Sequence, residues 1–153
     1  MIAGLGSYML DIPSGKWTGS DILNQIFGID KSYTRPVENS VESWIALIHP
    51  DWRQELSDYF AKEVLGKHIR FDKEYKIVRK NDGAERWVHG LGKLEFNAQN
   101  QPVKMRGTIQ DITERKQAEE ALRRAEEKYR NIFESMSDII VYNLNQIWPN
   151  TLS

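Results

Sequence analysis

The spacing of apolar residues changes along the chain and predicts different elements in turn. Across residues 4–19, apolar and aromatic residues flank the turn Pro13-Ser14-Gly15, which predicts two short strands. Spacings of three and four residues follow and predict a short helix that ends at Gly28. The predicted apolar face of that helix comprises Ile22, Leu23, Ile26 and Phe27.

A polar stretch at residues 29–41 predicts a loop, and two further helices are predicted after it. The first surrounds Trp44, and the second begins near Pro50 and ends at Gly66. The second helix has an apolar residue at every fourth position, which predicts a buried stripe along one side. That stripe comprises Trp52, Leu56, Phe60 and Val64.

From Phe71 to Ile109, apolar residues alternate with polar ones, which predicts β-strands. Turn signals at Asn81-Asp82-Gly83 and at residues 98–102 divide this stretch into three strands. Together with the two N-terminal strands, they predict an α+β domain in which short helices cover one face of a five-stranded antiparallel sheet.

The residues after Asp111 predict a long, charged, amphipathic helix over residues 114–136. Its apolar residues follow a heptad pattern, which is typical of a coiled-coil seam. Because the polar faces are wide, we expect this seam to pack against a second copy of the chain rather than against its own sheet. So short a coil is marginal alone, so the domain body is also expected in the dimer. The predicted seam comprises Ala118, Leu122, Ala125, Tyr129, Ile132 and Met136.

Composition excludes several classes of function. The net charge of −1 gives no electrostatic signature for binding nucleic acid or anionic lipid. The chain has no cysteine, which excludes disulfides, thiolate metal sites and cysteinyl adducts to a chromophore. Without a long apolar run or a signal peptide, the chain is expected to be a soluble, cytoplasmic protein with no membrane contact.

The three histidines do not predict a catalytic or metal site. His49 precedes a proline at a helix start and is expected to cap that helix, whereas His68 is expected to be solvated. His89 is expected on the strand face opposite Val88. No helical histidine pair and no glycine-rich phosphate loop accompany them, so no enzyme activity is predicted.

Several motifs resemble those of PAS domains. Residues 74–88 are similar to the hairpin of the C-terminal PAC part, and residues 107–116 to the segment that closes the domain and opens its signalling helix. Residues 48–51 resemble the start of the long helix. The resemblance predicts a sensory domain over residues 1–113 and a signalling helix over residues 114–136.

The end of the chain resembles the beginning of another repeat. Residues 125–134 are similar to the segment that leads into a second PAS domain. Residues 137–153 are therefore expected to be the truncated start of that repeat or a disordered tail. The resemblance also implies a multi-domain parent protein, a sensor histidine kinase of a two-component system, and contacts with neighbouring domains.

The resemblance implies a relay function for the junction between strand and helix. Asp111 and Thr113 match family residues that tie the end of the last strand to the domain body, so we expect them to couple domain and helix. Two other functions remain open: a small-molecule sensor, and a purely structural dimeriser between repeats.

A PAS domain would place its ligand pocket in the apolar core, and the sequence does not identify a ligand. Haem is disfavoured because no histidine is expected inside a helix facing the core. Non-covalent flavin, a fatty or aromatic metabolite, or no ligand remain open, and the bulky residues favour a filled core. The candidate lining residues are Trp17, Ile26, Phe27, Trp44, Phe60, Tyr75, Met105 and Ile109.

Overall fold

The computed structural model describes residues 4–29 and 39–147. The chain divides into two units at the boundary between Thr113 and Glu114. Most of the loop predicted at residues 29–41 lies outside the described residues, as do residues 148–153 of the predicted tail. Within the described ranges, no helix combines the length and the apolar content that crossing a membrane requires.

The first unit is built on a five-stranded antiparallel sheet, as predicted. Its strand order is β2-β1-β5-β4-β3, so the first and last strands of the domain lie side by side. Both edge strands have main-chain partners outside the sheet, since Trp17 N–H donates to Asn39 and His49 N–H donates to Lys76. The strands are β1 (Leu5–Asp11), β2 (Lys16–Gly19), β3 (Phe71–Val78), β4 (Glu85–Phe96) and β5 (Pro102–Asp111).

The predicted short helix is α1 (Asp21–Phe27). The Ser20 side chain caps its start by accepting a hydrogen bond from the Leu23 N–H, and Gly28 ends it with a φ of 70°. This confirms the predicted end, because a left-handed conformation at that position favours glycine. Ile22 is 38% exposed, however, so it lies outside the buried face to which the sequence pattern assigned it.

The next two helices are α2 (Val41–Leu47) and α3 (Pro50–Asp58). Beyond α3 the chain continues as a π-helical segment, Tyr59–Leu65, where the sequence predicted a regular helix ending at Gly66. Gly66 keeps a helical φ of −74°. The left-handed conformation falls instead on His68, with a φ of 58°.

The four-residue repeat is compatible with the π-helical segment. A step of four residues slightly overshoots an α-helical turn of about 3.6 residues. The same step falls short of the wider π turn, in which hydrogen bonds join residues five apart. Combining the two geometries keeps the stripe on one side, and Leu56, Phe60 and Val64 are all buried. Trp52, which the sequence pattern also assigned to the buried stripe, is only half-buried.

From Glu114 onward, the helix α4 (Thr113–Ile147) makes up the described part of the second unit, and it continues past the predicted end at residue 136. Charged side chains pair along its surface. Arg123 and Arg124 both donate to the carboxylate of Glu120, and Arg123 also donates to Glu127. These hydrogen bonds hold the pKa of the Glu120 carboxyl below its ordinary value and raise the pKa of Arg123.

Candidate functional site

A small apolar cavity lies within the first unit. Its volume is about 50 Å³. Among the residues predicted to line a pocket, all but Ile26 surround it, while Ile26 is fully buried elsewhere in the core. The lining residues are Tyr8, Leu10, Trp17, Leu23, Phe27, Val41, Trp44, Phe60, Phe71, Tyr75, Met105 and Ile109.

Five of these lining residues were not predicted: Tyr8, Leu10, Leu23, Val41 and Phe71. A signal for the strand residues was present in the sequence. Tyr8 and Leu10 are two positions apart in β1, and Phe71 begins the alternation of β3, so they share a sheet face with predicted residues. Leu23 and Val41 lie on short helices, whose orientation depends on tertiary packing.

Edge-to-face aromatic contacts form much of the cavity wall. The indole of Trp44 lies 5.8 Å from the ring of Phe60, 5.9 Å from Phe71 and 6.2 Å from Tyr75, measured between centroids. Edge-to-face arrangements are favourable because the positive edge of one ring meets the negative face of another. Trp44 therefore joins α2 to the π-helical segment and to β3.

The polar groups of the wall are few and uncharged. The Trp44 Nε1 donates to the Tyr75 hydroxyl at 3.1 Å, and the Tyr8 hydroxyl donates to the Leu91 carbonyl at 2.9 Å. Burial raises the pKa of both tyrosines, so both hydroxyls stay protonated at neutral pH. The wall formed by the described residues thus offers a neutral, largely apolar environment.

The predicted junction residues form a hydrogen-bonded cluster with β4. The Asp111 Oδ1 accepts from the Thr113 N–H at 2.9 Å and from the Thr113 hydroxyl at 2.6 Å. The same hydroxyl accepts from the Trp87 N–H at 3.0 Å, and the Ile112 N–H donates to the Trp87 carbonyl at 2.9 Å. The end of β5 and the first residue of α4 are therefore tied to the start of β4.

The second oxygen of Asp111 is buried and has no hydrogen bond. The Arg86 Nε lies 3.7 Å from this oxygen, close enough for an ion pair. Asp111 and Glu114 have the sequence spacing of a capping box, in which the first side chain would accept from the main chain three residues on. In the structure the carboxylate accepts from Thr113, so Asp111 stabilises the turn before α4 instead.

Two of the histidines, His49 and His89, lie beside carboxylates of neighbouring residues. His49 caps α3 by accepting from the Asp51 N–H at 3.2 Å, as predicted, and its Nε2 lies 3.2 Å from Glu85. His89 lies 2.7 Å from Asp72. Across the part of the chain that the structure describes, no cluster of three or more metal-ligating side chains occurs.

The second unit presents an apolar stripe on α4. Among the predicted seam residues, Leu122, Tyr129, Ile132 and Met136 are between 46% and 73% exposed. Exposed apolar side chains continue past Met136 in the added turns of the helix. They include Ile139, Ile140, Val141, Tyr142, Leu144 and Ile147.

Solved structures of bacterial and archaeal signalling proteins resemble this fold. A sensory box histidine kinase/response regulator from Burkholderia thailandensis has a TM-score of 0.68 and 28% identity, covering 84% of this chain and 92% of the other. The N-terminal domain of a diguanylate cyclase with a PAS/PAC sensor, from Marinobacter aquaeolei, has a TM-score of 0.63 and 14% identity over 72% of this chain and 96% of the other. A domain of a light and redox sensing histidine kinase from Haloarcula marismortui has a TM-score of 0.57 and 19% identity over 72% and 91%.

The sequence itself carries the family signal. A family model described as PAS fold matches residues 16–109, which span most of the first unit. No curated protein matches the sequence. The chain therefore belongs to the PAS fold family, as a sensory domain of the kind found in signalling proteins such as histidine kinases.

Proposed function

We propose that this chain is a non-catalytic relay and dimerisation domain of a cytoplasmic sensor histidine kinase. In this proposal, changes in the cavity or in dimer packing shift β5 and thereby change the start of α4. Neighbouring domains of the parent protein then receive the signal from that helix. The similarity to a histidine kinase/response regulator from Burkholderia thailandensis supports this choice of parent.

The observation that carries the proposal is the cluster of Asp111, Thr113 and Trp87. Met105 and Ile109 of β5 line the cavity, and β5 ends at Asp111. A displacement of β5 would therefore strain the hydrogen bonds that Thr113 makes with Asp111 and Trp87. Because buried hydrogen bonds are costly to leave unmade, such strain biases the equilibrium between two helix positions.

Dimerisation is proposed through α4 together with the domain body. The seam residues follow a heptad repeat, which makes the stripe complementary to a second copy of itself. Beside this stripe, the Glu120 carboxylate accepts hydrogen bonds from both Arg123 and Arg124. These charged groups therefore have partners within one helix. A second copy would cover the exposed Leu122, Ile132 and their neighbours.

The junction is tested by Asp111→Ala in the full-length parent protein, with kinase autophosphorylation as the readout. The variant removes the acceptor of two Thr113 hydrogen bonds. We expect the autophosphorylation rate to change at least about fivefold, a coupling typical of allosteric proteins.

Asp72→Ala provides a matched control. It also removes one carboxylate from the same sheet, but Asp72 pairs with His89 and does not contact the junction. We expect this variant to keep the rate within about twofold of the original. If Asp111→Ala is folded and has the original rate, the junction does not relay the signal.

Two other functions each have an observation in their favour. The cavity favours a small-molecule sensor, whereas the dense packing of aromatic rings around Trp44 favours a structural dimeriser without a ligand. An absorption spectrum and native mass spectrometry of the purified chain separate them. A chromophore band or extra mass would support the sensor, and a dimer of unmodified mass would support the relay or the structural role.

A further inference from the structure

Two half-buried tryptophans contact each other away from the cavity. The rings of Trp52 in α3 and Trp87 in β4 meet edge to face, with their centroids 5.4 Å apart and their planes at 78°. Neither is among the described residues that line the cavity. The contact therefore has no part in enclosing the cavity and instead joins α3 to β4.

Trp87 is also the residue to which the start of α4 is tied. Its carbonyl accepts from the Ile112 N–H at 2.9 Å, and its N–H donates to the Thr113 hydroxyl at 3.0 Å. A packed side chain occupies one staggered rotamer, so a displaced ring either moves its own main chain or strains its torsions. A force on the Trp87 indole therefore reaches the hydrogen bonds that hold Ile112 and Thr113.

The other end of the contact leads to the cavity. The helix α3 continues directly into the π-helical segment, where Phe60 lines the cavity and packs against Trp44 with 5.8 Å between the ring centroids. Protein interiors are packed densely and transmit displacements to their neighbours. A change at Phe60 that moves this helical run therefore also moves Trp52 against Trp87.

The ring of Trp87 has a second neighbour in Lys76. The Lys76 ammonium lies over this ring at 5.5 Å from its centre, and 3.6 Å from the Glu85 carboxylate. A cation over an indole face is attracted by the electrons of the ring. Lys76 and Trp52 together hold the indole, and of the two only Trp52 belongs to the helical run that reaches the cavity.

We propose that Trp52 is a positioning residue of the junction. By holding the Trp87 indole, it fixes the main-chain groups that bind Ile112 and Thr113. The helical side of the cavity thus acts on the start of α4 in addition to β5. This gives the relay a second input, and its role in signalling rests on the proposed function.

Hydrogen exchange at the Ile112 N–H in the intact chain tests the proposal. Trp52→Leu removes the aromatic edge and keeps an apolar side chain. We expect exchange at Ile112 to accelerate about fivefold more than exchange at the slowest amides of the sheet, as the loss of one aromatic contact implies. The slowest amides report global unfolding, so a loss of overall stability alone would not accelerate Ile112 more than these amides.

Two further variants serve as controls. Trp52→Phe keeps an aromatic ring and should recover part of the protection at Ile112. Phe96→Leu removes a ring from the far end of β4, where Phe96 contacts His68 at 5.0 Å, and should give Ile112 no extra acceleration. No extra acceleration in Trp52→Leu, the same acceleration in Trp52→Phe, or an equal effect of Phe96→Leu would each overturn the proposal.

Autophosphorylation of the full-length parent distinguishes a failure of this proposal from a failure of the relay. We expect Trp52→Leu to change the rate at least about threefold. If Ile112 is not selectively accelerated while Asp111→Ala alters the rate, the role of Trp52 is wrong and the relay stands. If Ile112 is accelerated and neither variant alters the rate, Trp52 positions the junction but the relay is wrong. Accelerated exchange with a changed rate in Asp111→Ala alone would overturn Trp52 as an input.

Discussion

Two buried side chains, Thr113 and Asp111, account for the connection between the sheet and the start of α4. The Thr113 hydroxyl serves two partners at once, since it donates to Asp111 and accepts from the main chain of Trp87. Threonine can do this because its hydroxyl is both a donor and an acceptor. A side chain of the same shape without the hydroxyl would remove the acceptor of the Trp87 N–H and one of the two hydrogen bonds that Asp111 accepts from Thr113.

Thr113→Val is therefore expected to lower the free energy of unfolding by about 1–3 kcal/mol, the cost of buried groups without partners. Urea unfolding followed by fluorescence measures the change, and hydrogen exchange at the Trp87 N–H should accelerate. Thr18→Val, at an exposed position of β2, is the control and should change stability by less than about 0.5 kcal/mol. Equal stabilities for the two variants would show that the hydroxyl network contributes little.

Tyr75 predicts a loss of stability at alkaline pH. Burial raises its pKa in the folded protein, above the value of about 10 in the unfolded chain. Above that value the unfolded chain releases the proton while the folded protein retains it, so stability falls as pH rises. Above pH about 10, the free energy of unfolding of Tyr75→Phe should fall with pH less steeply than that of the original chain. The two slopes should differ by about 1.4 kcal/mol per pH unit.

The matched control for this pH effect is Tyr142→Phe, since Tyr142 is 63% exposed on α4 and lies outside the predicted seam. Its removal should leave the dependence on pH unchanged. Identical slopes above pH about 10 for the original chain and for Tyr75→Phe would contradict the account of a buried, protonated hydroxyl.

Among the elements, β5 packs closely against both neighbouring strands at Gly107. Gly107 pairs with Tyr8 of β1 on one side and with Gly92 of β4 on the other. A Cβ at Gly107 would overlap the Leu91 carbonyl oxygen and lie 2.6 Å from the Tyr8 hydroxyl oxygen. The absence of a side chain lets Tyr8 cross the sheet and reach the Leu91 carbonyl.

Gly107→Ala is expected to lower the free energy of unfolding by about 1–3 kcal/mol, because the overpacked strand must move. Gly66→Ala is the control, since Gly66 has a helical φ and an added Cβ would meet the Ala61 carbonyl at 3.3 Å. It should change stability by no more than about 1 kcal/mol. Urea unfolding of both variants measures the difference, and a stable Gly107→Ala variant would contradict this packing.

Alternation made the strands and much of the cavity wall predictable from sequence. Tyr75, Met105 and Ile109 each lie among alternating residues, so their side of the sheet follows from the pleat. The helical part was less predictable. Ile26 and Leu23 belong to the same short helix, yet only Leu23 lines the cavity, because tertiary packing sets the rotation of α1.

The type of helix and its last residue could not be predicted from the sequence either. A four-residue repeat fits both an α-helix and a π-helix, so the pattern at Leu56, Phe60 and Val64 did not distinguish them. Likewise, glycine preference predicted an end at Gly66, but the left-handed residue is His68. Such choices depend on how the segment packs against the domain, which local preference does not encode.

At the scale of the whole molecule, the proposed relay needs α4 to pair with a second copy. Leu122, Ile132 and Met136 are each more than 45% exposed within one chain. Between residues 114 and 136 these side chains form an apolar row on a helix whose other residues are mostly polar or charged, which favours burial against an identical helix. The domain body must add to the interface, because a short two-stranded coil is marginal by itself.

Dimerisation through α4 is tested most directly by measuring the mass of the purified chain by analytical ultracentrifugation across a range of concentrations. We predict a dimer that Ile132→Glu weakens at least about tenfold, because the substitution places a charge in the apolar seam. Asn131→Glu introduces the same charge one residue away from the seam and should leave the dimer intact. A monomer at every concentration, or a dimer that Ile132→Glu does not weaken, would contradict a dimerising output helix.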